Sequence, residues 1–392
     1  MPLAAVLRSS CLALLFLALP ASAVPVFSSL GAATGATFNT IPSDRGISAD
    51  GQTVVGTEGG SSPGREPLRW QEATGWVGLG FPPGTRPGVL GDQGTPRGVT
   101  DGGGVVVGSA TFRDGGTGGP VAFRWSSARG HRNLGDLAGG GSRNEAHAVS
   151  ADGITVVGQS QSSSGTEAFV FLFGDGNPMQ GLGDLPGGTF GSQALDVSAD
   201  GGTIVGTGND ASGVVAFRWT ETGGMAALPG TERSRSVQIS ADGETVTGHT
   251  GVTPTGGPNL AYRWSEATGT VPIPHHPLAT FMSVADVAAD GSRVVGQWSN
   301  GGSHALLWDA ELGTVDLQEL PTNPGAGPDL VGWELQRASG ISGDGRTLVG
   351  WGTNPAGQRE GWRVVLPAIL PEPGTALLVG LGLGALGFRA RS

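Results

Sequence analysis

A ten-residue phrase occurs seven times along the chain, and its repetition limits the possible folds more than any other feature of the sequence. The copies are ISADGQTVVG from Ile47, VTDGGGVVVG from Val99, VSADGITVVG from Val149, VSADGGTIVG from Val197, ISADGETVTG from Ile239, VAADGSRVVG from Val287 and ISGDGRTLVG from Ile341. Their final glycines are 42 to 54 residues apart. A period of this length indicates supersecondary units stacked in an array, each burying its apolar surface against its neighbours.

The sequence pattern of each unit predicts up to four short strands. One strand ends at the first Ile or Val of the phrase, and one covers TVVG. A third covers AFRW or its equivalents, where Phe and Trp share one strand face and Arg lies on the other. LGDL, as in RNLGDLAGG from Arg132, predicts a fourth strand followed by a Gly turn. Five units carry the Arg, which we interpret as blade packing: Arg69, Arg124, Arg218, Arg263 and Arg363.

The Asp-Gly pair inside the phrase is typical of a tight hairpin turn. A type I turn followed by Gly in the left-handed region forms a bulge that suits two short, twisted strands. One carboxylate per turn falls short of the roughly six to eight oxygens that a calcium site needs. We therefore predict a structural role for Asp50, Gly51, Asp152, Gly153, Asp200, Gly201, Asp242, Gly243, Asp290, Gly291, Asp344 and Gly345.

The predicted fold is all-β, a seven-bladed β-propeller of four-stranded blades. A solenoid is the alternative, but the repeats of β-rich solenoids are usually shorter, at about 20–30 residues. Residues 26–35 (VFSSLGAATG) have the pattern of a fourth strand without its own unit, and no such strand follows GWRVVL after the seventh phrase. We expect the N-terminal strand to complete the seventh blade and close the ring.

This set of phrases resembles the HAF repeat family of extracellular bacterial proteins, whose His-Ala-Phe triplet reads EAF, VAF or HAL here. The order of strand, Asp-Gly turn and strand is also similar to the blades of TolB-type propellers. The resemblance covers nearly the whole chain between its two ends, although no unit keeps the triplet intact. It implies an extracellular propeller, and it brings no catalytic residue to this sequence.

Residues 1–23 have the form of a secretory signal peptide, with Arg8, a compact apolar run and Ala-Ser-Ala at the end. We predict export by the Sec machinery and cleavage by signal peptidase between Ala23 and Val24. The only cysteine, Cys11, lies in this segment, so the mature chain would have neither a disulfide nor a cysteine metal site. Residues 24–370 are long enough to fold around a large core as the propeller.

Residues 371–392 contain Pro371, Glu372 and Pro373, then an uncharged stretch over 375–388, then Arg389 and Arg391. As a helix the uncharged stretch would span about 21 Å, short of a hydrocarbon core of about 30 Å. The order of parts closely resembles the PEP-CTERM sorting signal of Gram-negative bacteria, which is recognised by an exosortase-type membrane protease. The resemblance implies transient membrane anchoring and delivery to the envelope, the cell surface or the extracellular matrix.

The net charge of −11 disfavours nucleic acid as a partner, because phosphate binding needs clustered cations. The predicted processing removes three arginines and makes the chain more acidic. A glycine string, GLGLGALG over 380–387, follows no strand and lies in the terminal apolar segment, so it does not indicate a dinucleotide site. We predict no cofactor and no metal site.

If the first strand of each unit is innermost, the residue before its last Ile or Val flanks the central channel. These positions are Gly46, Gly98, Ala148, Asp196, Gln238, Asp286 and Gly340. Three polar residues break the pattern of small ones, and His147 lies one unit earlier. The catalytic candidates are Asp196, Asp286 and His147, of which the two carboxylates could serve glycoside chemistry. The interpretation that we favour is a set of hydrated polar residues in a channel, with no catalytic residue.

Two functions follow from these observations. The first is a non-catalytic secreted propeller with a binding or structural role, contacting exopolysaccharide or a surface protein through loops at 250–260 and 321–333. The alternative is a polysaccharide hydrolase or lyase acting at the channel mouth. A test of binding and turnover on the same polymer separates them.

Overall fold

The computed structural model describes residues 25–33, 40–58, 66–81, 94–111, 119–141, 143–174, 176–251, 259–320 and 330–367. These residues form seven four-stranded antiparallel sheets in a ring, which confirms the predicted seven-bladed β-propeller. The signal peptide with its Ala23–Val24 cleavage site, and the sorting signal with Pro371, Glu372 and Pro373, lie outside the described residues.

The 28 strands follow the order of the repeats. The first strand along the chain is β1 (Val26–Ser29). Blade 1 contains β2 (Thr40–Ile47), β3 (Thr53–Glu58), β4 (Leu68–Gln71) and β5 (Gly75–Gly78), and blade 2 contains β6 (Gly94–Val99), β7 (Val105–Thr111), β8 (Pro120–Ser126) and β9 (Gly130–Asn133). Blade 3 contains β10 (Asn144–Val149), β11 (Thr155–Ser162), β12 (Gly165–Leu172) and β13 (Gln180–Gly181), and blade 4 contains β14 (Gly187–Val197), β15 (Thr203–Asp210), β16 (Gly213–Thr220) and β17 (Gly224–Ala227). Blade 5 contains β18 (Ser234–Ile239), β19 (Val246–Thr250), β20 (Ala261–Ser265) and β21 (Gly269–Pro272), and blade 6 contains β22 (Phe281–Val287), β23 (Arg293–Ser299), β24 (Ser303–Asp309) and β25 (Gly313–Asp316). Blade 7 contains β26 (Glu334–Ile341), β27 (Thr347–Thr353) and β28 (Arg359–Val365). Two short 3-10 turns cover Asp101–Gly103 and Leu317–Glu319.

The N-terminal strand closes the ring, as the sequence predicted. β1 pairs antiparallel with β28, so that Ser29 lies opposite Trp362. Beyond the strand, the Leu30 amide donates to the Gly361 carbonyl at 2.9 Å, and the Ser29 hydroxyl donates to the Glu360 carboxylate. The strand is four residues long and ends at Ser29.

The core lies between neighbouring blades. The apolar residue that leads the RW-type phrase is at most 3% exposed in all seven blades, as Leu68, Phe123, Phe169, Phe217, Tyr262, Leu306 and Trp362. One representative cluster joins Val157 and Ala168 of blade 3 to Ile204 and Phe217 of blade 4. Burying each such side chain contributes about 1.5–3 kcal/mol, so the blade interfaces hold the ring together.

The last glycine of every repeat has a packing role. A Cβ atom on Gly158 would lie 1.9 Å from the Glu145 carbonyl oxygen and 2.9 Å from the Phe169 ring. All seven of these glycines meet a first-strand carbonyl oxygen at 1.9–2.3 Å in the same way. Only Gly fits where the second strand passes the bulge of the first strand.

The predicted position of the fourth strand is wrong in blades 2 and 3. β9 and β13 end just before the two LGDL segments, residues 134–137 and 182–185. The glycines of these segments, Gly135 and Gly183, have φ of +82° and +80°, which extended strand does not allow. Leu134 and Leu137 nevertheless stay buried, and the Leu134 amide still donates to the Ala122 carbonyl of β8 at 3.1 Å.

The two faces of the ring carry different connections. The turns between first and second strands define the turn face, residues 48–52, 100–104, 150–154, 198–202, 240–244, 288–292 and 342–346. Because neighbouring strands are antiparallel, the hairpins between second and third strands lie on the opposite side, the hairpin face, which includes residues 163–164, 211–212, 300–302 and 354–358. Across the described ranges, no helix has both the length and the apolar character to span a bilayer.

Candidate functional site

The first strand of each blade lies innermost, where it lines a central channel. A cavity of about 160 Å³ in the channel has Arg45, His147, Asp196 and Asp286 in its wall, together with Gly98 and Ala148. Four of the seven positions predicted to flank the channel therefore line this cavity. Gln238 instead is 3% exposed, and its amide donates to the Ser236 hydroxyl.

Asp196 joins blade 4 to blade 5. Its Oδ1 accepts the Val197 amide at 2.9 Å, and its Oδ2 accepts the amide of Ile239 at 3.0 Å. Burial raises the pKa of the Asp196 carboxyl, although the charge of Arg45 and these amides act in the opposite direction. Both oxygens thus serve backbone N–H groups that point into the channel.

Asp286 repeats this arrangement two blades further on. Its Oδ1 accepts the Val287 amide and its Oδ2 accepts the Ile341 amide of blade 7, both at 2.9 Å. Burial raises the pKa of Asp286 to about 7, and the nearby charge of Asp196 contributes to the rise. The charge of one acid therefore affects the pKa of the other, and each acid links one pair of neighbouring blades.

Arg45 is a channel residue that the repeated pattern does not predict. Its Nη1 donates to the carbonyl of Leu195 and lies 3.6 Å from Asp196 Oδ1, so a side chain of blade 1 crosses the channel to blade 4. Arg45 has φ of +59°, which is uncommon for a residue other than Gly.

The inner strand of blade 1 is longer than those of other blades at this point. In blade 1, Pro42 pairs with Gly56 and Ile47 pairs with Val54, so four residues lie between the two paired positions of the inner strand. In blade 3 only two residues lie between the equivalent positions, Ala146 and Val149. Arg-Gly precedes the repeated phrase only in units 1 and 2. That pair was the available sequence signal for Arg45, and for Arg97 in blade 2.

His147 also connects neighbouring blades. Its Nδ1 donates to the Ala194 carbonyl of blade 4 at 2.8 Å, and its Nε2 lies 3.6 Å from Glu145 Oε2. Burial lowers the pKa of His147, whereas the contact with the His147 side chain lowers the pKa of Glu145. His147 and Asp196 share the cavity, but the contacts of His147 run to a backbone carbonyl and to Glu145.

The structure places the predicted Asp-Gly pairs in one recurring turn. In blade 1 the Ser48 hydroxyl donates to Asp50 Oδ1 at 2.5 Å, the Gln52 amide donates to the same oxygen at 2.9 Å, and Gly51 has φ of +69°. The equivalent Asp-Gly pairs, whose glycines have φ of +68° to +77°, are Asp152 and Gly153, Asp200 and Gly201, Asp242 and Gly243, Asp290 and Gly291, and Asp344 and Gly345. The hydrogen bond from the preceding serine lowers the pKa of Asp152 and of Asp200.

Backbone hydrogen bonds link successive turns around the channel. The amide of Ala151 donates to the Ala199 carbonyl, and that of Ala199 to the Ala241 carbonyl, both at 3.0 Å. A second series runs from Ala289 to Gly343 and from Gly343 to Ala49. Main-chain hydrogen bonds on the turn face therefore join neighbouring blades.

The repeated arginine contributes to the same joints. Arg69 donates to the Gly103 carbonyl at 3.0 Å, and Arg124 to the Gly153 carbonyl at 3.1 Å, each reaching the turn of the next blade. In blade 6, where Leu307 replaces this arginine, Arg293 from the neighbouring strand donates to the Gly345 carbonyl at 3.0 Å. These contacts support the packing role inferred from the sequence.

A second concave site lies beside the channel mouth on the hairpin face. It is a depression of about 400 Å³ with Asp44, Arg97, Arg337, Trp351 and Arg359 among its lining residues. Arg337 donates twice to the Asp44 carboxylate, at 2.9 Å each, and so links blade 7 to blade 1. The guanidinium of Arg359 lies 3.6 Å from the centroid of the Trp351 ring.

Within the described part of the chain, no three His, Cys, Asp or Glu side chains form a metal-ligand group. The loops predicted to bind a partner, 250–260 and 321–333, are described only at 250–251, 259–260 and 330–333.

No protein-family model matches the chain, and a search of curated proteins found no match in sequence. Among solved structures, the chain is similar to an oligogalacturonate lyase from Vibrio parahaemolyticus, with TM-score 0.54, 9% identity and coverage of 88% of this chain and 97% of that one. It is similar to puromycin hydrolase with TM-score 0.54 and 18% identity, covering 89% of this chain and 57% of that one. For TolB from Acinetobacter baumannii the values are 0.44 and 12%, with 82% and 80% covered. At these identities the likenesses show a shared β-propeller fold and no shared activity.

Proposed function

We propose that the protein is a non-catalytic binding propeller of the envelope or exopolysaccharide matrix of a Gram-negative bacterium, and that it binds through its hairpin face. The observation that carries the proposal is that both channel acids are already engaged. Each carboxylate of Asp196 and Asp286 accepts two backbone amides, one of them from the following blade. A general acid or nucleophile needs an oxygen that can approach the scissile bond, and these oxygens face the main chain instead.

The size of the channel cavity supports the same conclusion. Arg45 occupies the channel beside Asp196, and the cavity that remains is about 160 Å³. Ligand pockets usually have volumes of about 300–1,000 Å³. A polysaccharide chain would therefore need the Arg45 side chain to move before it reached either acid.

The predicted terminal signals support the location. A signal peptide handled by the Sec machinery and signal peptidase would export the chain, and a sorting signal cut by an exosortase-type protease would deliver it to the surface or the matrix. The exopolysaccharide and the surface proteins found there are the partners that we propose.

One observation favours the alternative of a polysaccharide hydrolase or lyase. A carboxyl with a pKa of about 7, as burial gives Asp286, is suited to act as a general acid near neutral pH. The lyase and hydrolase among the similar structures share only the fold, so they do not extend this argument.

A single assay distinguishes the two functions. The protein is purified from the producing bacterium and incubated with that bacterium's exopolysaccharide on beads, and retained protein and newly released sugar ends are measured together. We expect retention without new ends. New ends that disappear in an Asp286→Asn variant would establish the enzyme instead. If the protein binds neither the polymer nor isolated envelopes, the binding function is contradicted.

A further inference from the structure

The depression on the hairpin face differs in charge from the rest of the molecule. Its charged lining residues are Arg97, Arg337, Arg359 and Asp44, three cations and one anion, in a chain whose net charge is −11. The cations come from blades 2 and 7 and converge beside the channel mouth. A local excess of positive charge on an acidic protein selects anions that fit this concave surface.

Asp44 does not neutralise the whole group. Its two oxygens are taken by Arg337, whose remaining Nη1 donates to Gln297 Oε1 at 3.3 Å. This side chain is thereby committed to the joint between blades 7 and 1. Arg97, which forms an ion pair with Glu145, and Arg359 are the other two cations of the depression.

Arg97 has unused hydrogen-bonding capacity. Its Nε is buried and has no hydrogen-bond partner among the described residues, and its Nη2 lies 3.7 Å from Glu145 Oε2, beyond hydrogen-bond range. A buried donor without an acceptor costs free energy. The Arg97 side chain is 35% exposed, and this exposed part can donate to a bound anion. Burial lowers the pKa of the Arg97 guanidinium, whereas the charge of Glu145 acts in the opposite direction.

Arg359 and Trp351 present a combined surface. Arg359 is exposed, makes no hydrogen bond through its guanidinium within the described residues, and stacks on the indole at 3.6 Å. A stacked guanidinium keeps its in-plane N–H groups free for a carboxylate, and an indole offers an apolar surface to the C–H groups of a sugar ring.

We propose that this depression binds the carboxylate-bearing sugars of an acidic polysaccharide, a ligand assignment that rests on the binding function proposed for the hairpin face. Arg97 and Arg359 hold the carboxylate through charge-assisted hydrogen bonds, and Trp351 packs against the adjacent ring face. No bond is made or broken.

The test is titration calorimetry with hexamers of galacturonate and of mannuronate, and with the same hexamers after methyl esterification. The esters keep the sugar and remove the charge, and free acetate reports on the carboxylate alone. We expect at least one acidic hexamer to bind, and the esters and acetate to bind at least tenfold more weakly. Equal binding of acid and ester, equal binding of acetate and hexamer, or no binding of either acidic hexamer would overturn the assignment.

Variants locate the site on the protein. Arg359→Gln is expected to weaken hexamer binding roughly ten- to hundredfold, since one charge-assisted hydrogen-bonding group is lost. The control is Arg129→Gln, an exposed arginine in the turn between β8 and β9 that removes the same charge from the opposite face. Equal losses in the two variants would mean that net charge alone acts, and would contradict a site in the depression.

The outcome separates this assignment from the broader function. The double variant carries both Arg97→Gln and Arg359→Gln. If it is retained on the host exopolysaccharide as well as the unaltered protein is, the depression is not the binding site, but the proposed binding function stands. If the unaltered protein is retained on neither the polymer nor the envelope, the binding function fails as well. Thermal unfolding of the double variant, expected within a few degrees of the unaltered protein, shows that a loss of binding is not a loss of fold.

Discussion

The turn face and the channel with its mouth differ in how closely the seven blades agree. On the turn face, six blades repeat one Asp-Gly turn with the same main-chain geometry. Along the channel and its mouth the blades contribute different groups, such as Arg45, Arg97, His147, Asp196 and Asp286. Repetition marks what every blade needs in order to join its neighbour. The departures from repetition mark contacts that only one or two blades make, where a ligand or a cross-channel contact can be placed.

The largest effect should come from a matched pair of glycines, one on each face. Gly201 and Gly357 both have φ of +76°, but a Cβ on Gly201 would lie 2.4 Å from Thr155 Oγ1 of the previous blade, whereas a Cβ on Gly357 would meet nothing within 4 Å. We expect Gly201→Ala to cost about 2–5 kcal/mol in the free energy of unfolding, through strain and crowding together. Gly357→Ala should cost about 1–2 kcal/mol, from the backbone strain alone. Denaturant unfolding measures both, and equal costs would mean that Thr155 moves away from the added methyl group without loss of stability.

The second effect is a pH dependence that should come from the channel. The carboxyl of Asp286 changes from a pKa of 3.8 when unfolded to about 7 in the folded protein, so over this window the folded state holds a proton that the unfolded state has lost. The contribution of Asp286 to stability therefore falls as the pH rises from about 4 to 7, by roughly 1–3 kcal/mol after relaxation of the site is allowed for. Buried histidines contribute with the opposite sign, since burial lowers the pKa of His249 to about 4. The measurement is therefore the difference in the free energy of unfolding between the unaltered protein and Asp286→Asn at pH 5 and at pH 7, and this difference should shift against the unaltered protein as the pH rises.

The turn aspartates have the opposite effect on the pH dependence of stability, so the turn face and the channel can be told apart by pH. Serine hydroxyls lower the pKa of Asp152 and Asp200, so their contribution is present above the unfolded pKa and is lost as the pH falls below it. An unchanged slope between pH 5 and 7 in Asp286→Asn would contradict the assignment of that window to the channel.

Next in size is the loss of the cross-channel arginine. Arg45→Gly removes the contacts with the Leu195 carbonyl and the Asp196 carboxylate, but it suits a φ of +59° better than Arg does. The net loss of stability should be about 1–2 kcal/mol. Because the charge of Arg45 favours ionised Asp196, its removal should raise the pKa of Asp196 further. Carboxyl carbon NMR would follow that titration, and an unmoved pKa would show that Arg45 does not act on this acid.

The smallest effect should come from one copy of the repeated turn. Asp200→Ala removes an acceptor for the Ser198 hydroxyl and the Gly202 amide in an exposed position. We expect a loss of about 0.5–1 kcal/mol in the free energy of unfolding and no change in polymer binding. A larger loss, or weaker binding, would show that the turns do more than shape the hairpins.

Much of the fold could be predicted because its signals are local. The blade count, the Asp-Gly turns and the N-terminal strand of blade 7 are all visible in short repeated phrases, and the structure confirms the predicted propeller. The LGDL segments misled the strand assignment, since an apolar pattern does not report that Gly135 and Gly183 adopt positive φ. Asp196 and Asp286 were identified as channel residues, but their partners were not.

The repeating unit, its turns and the number of blades are visible in the sequence alone, because a phrase of ten residues marks each unit. What the channel residues contact depends on the tertiary structure. Asp196 reaches the Ile239 amide 43 residues away, Asp286 the Ile341 amide 55 away, and Arg45 the Leu195 carbonyl 150 away. Ring closure brings these groups together, and burial then shifts the pKa values of the acids. No pattern along the chain encodes which blade lies across a channel, because that distance is set by the circle the blades form.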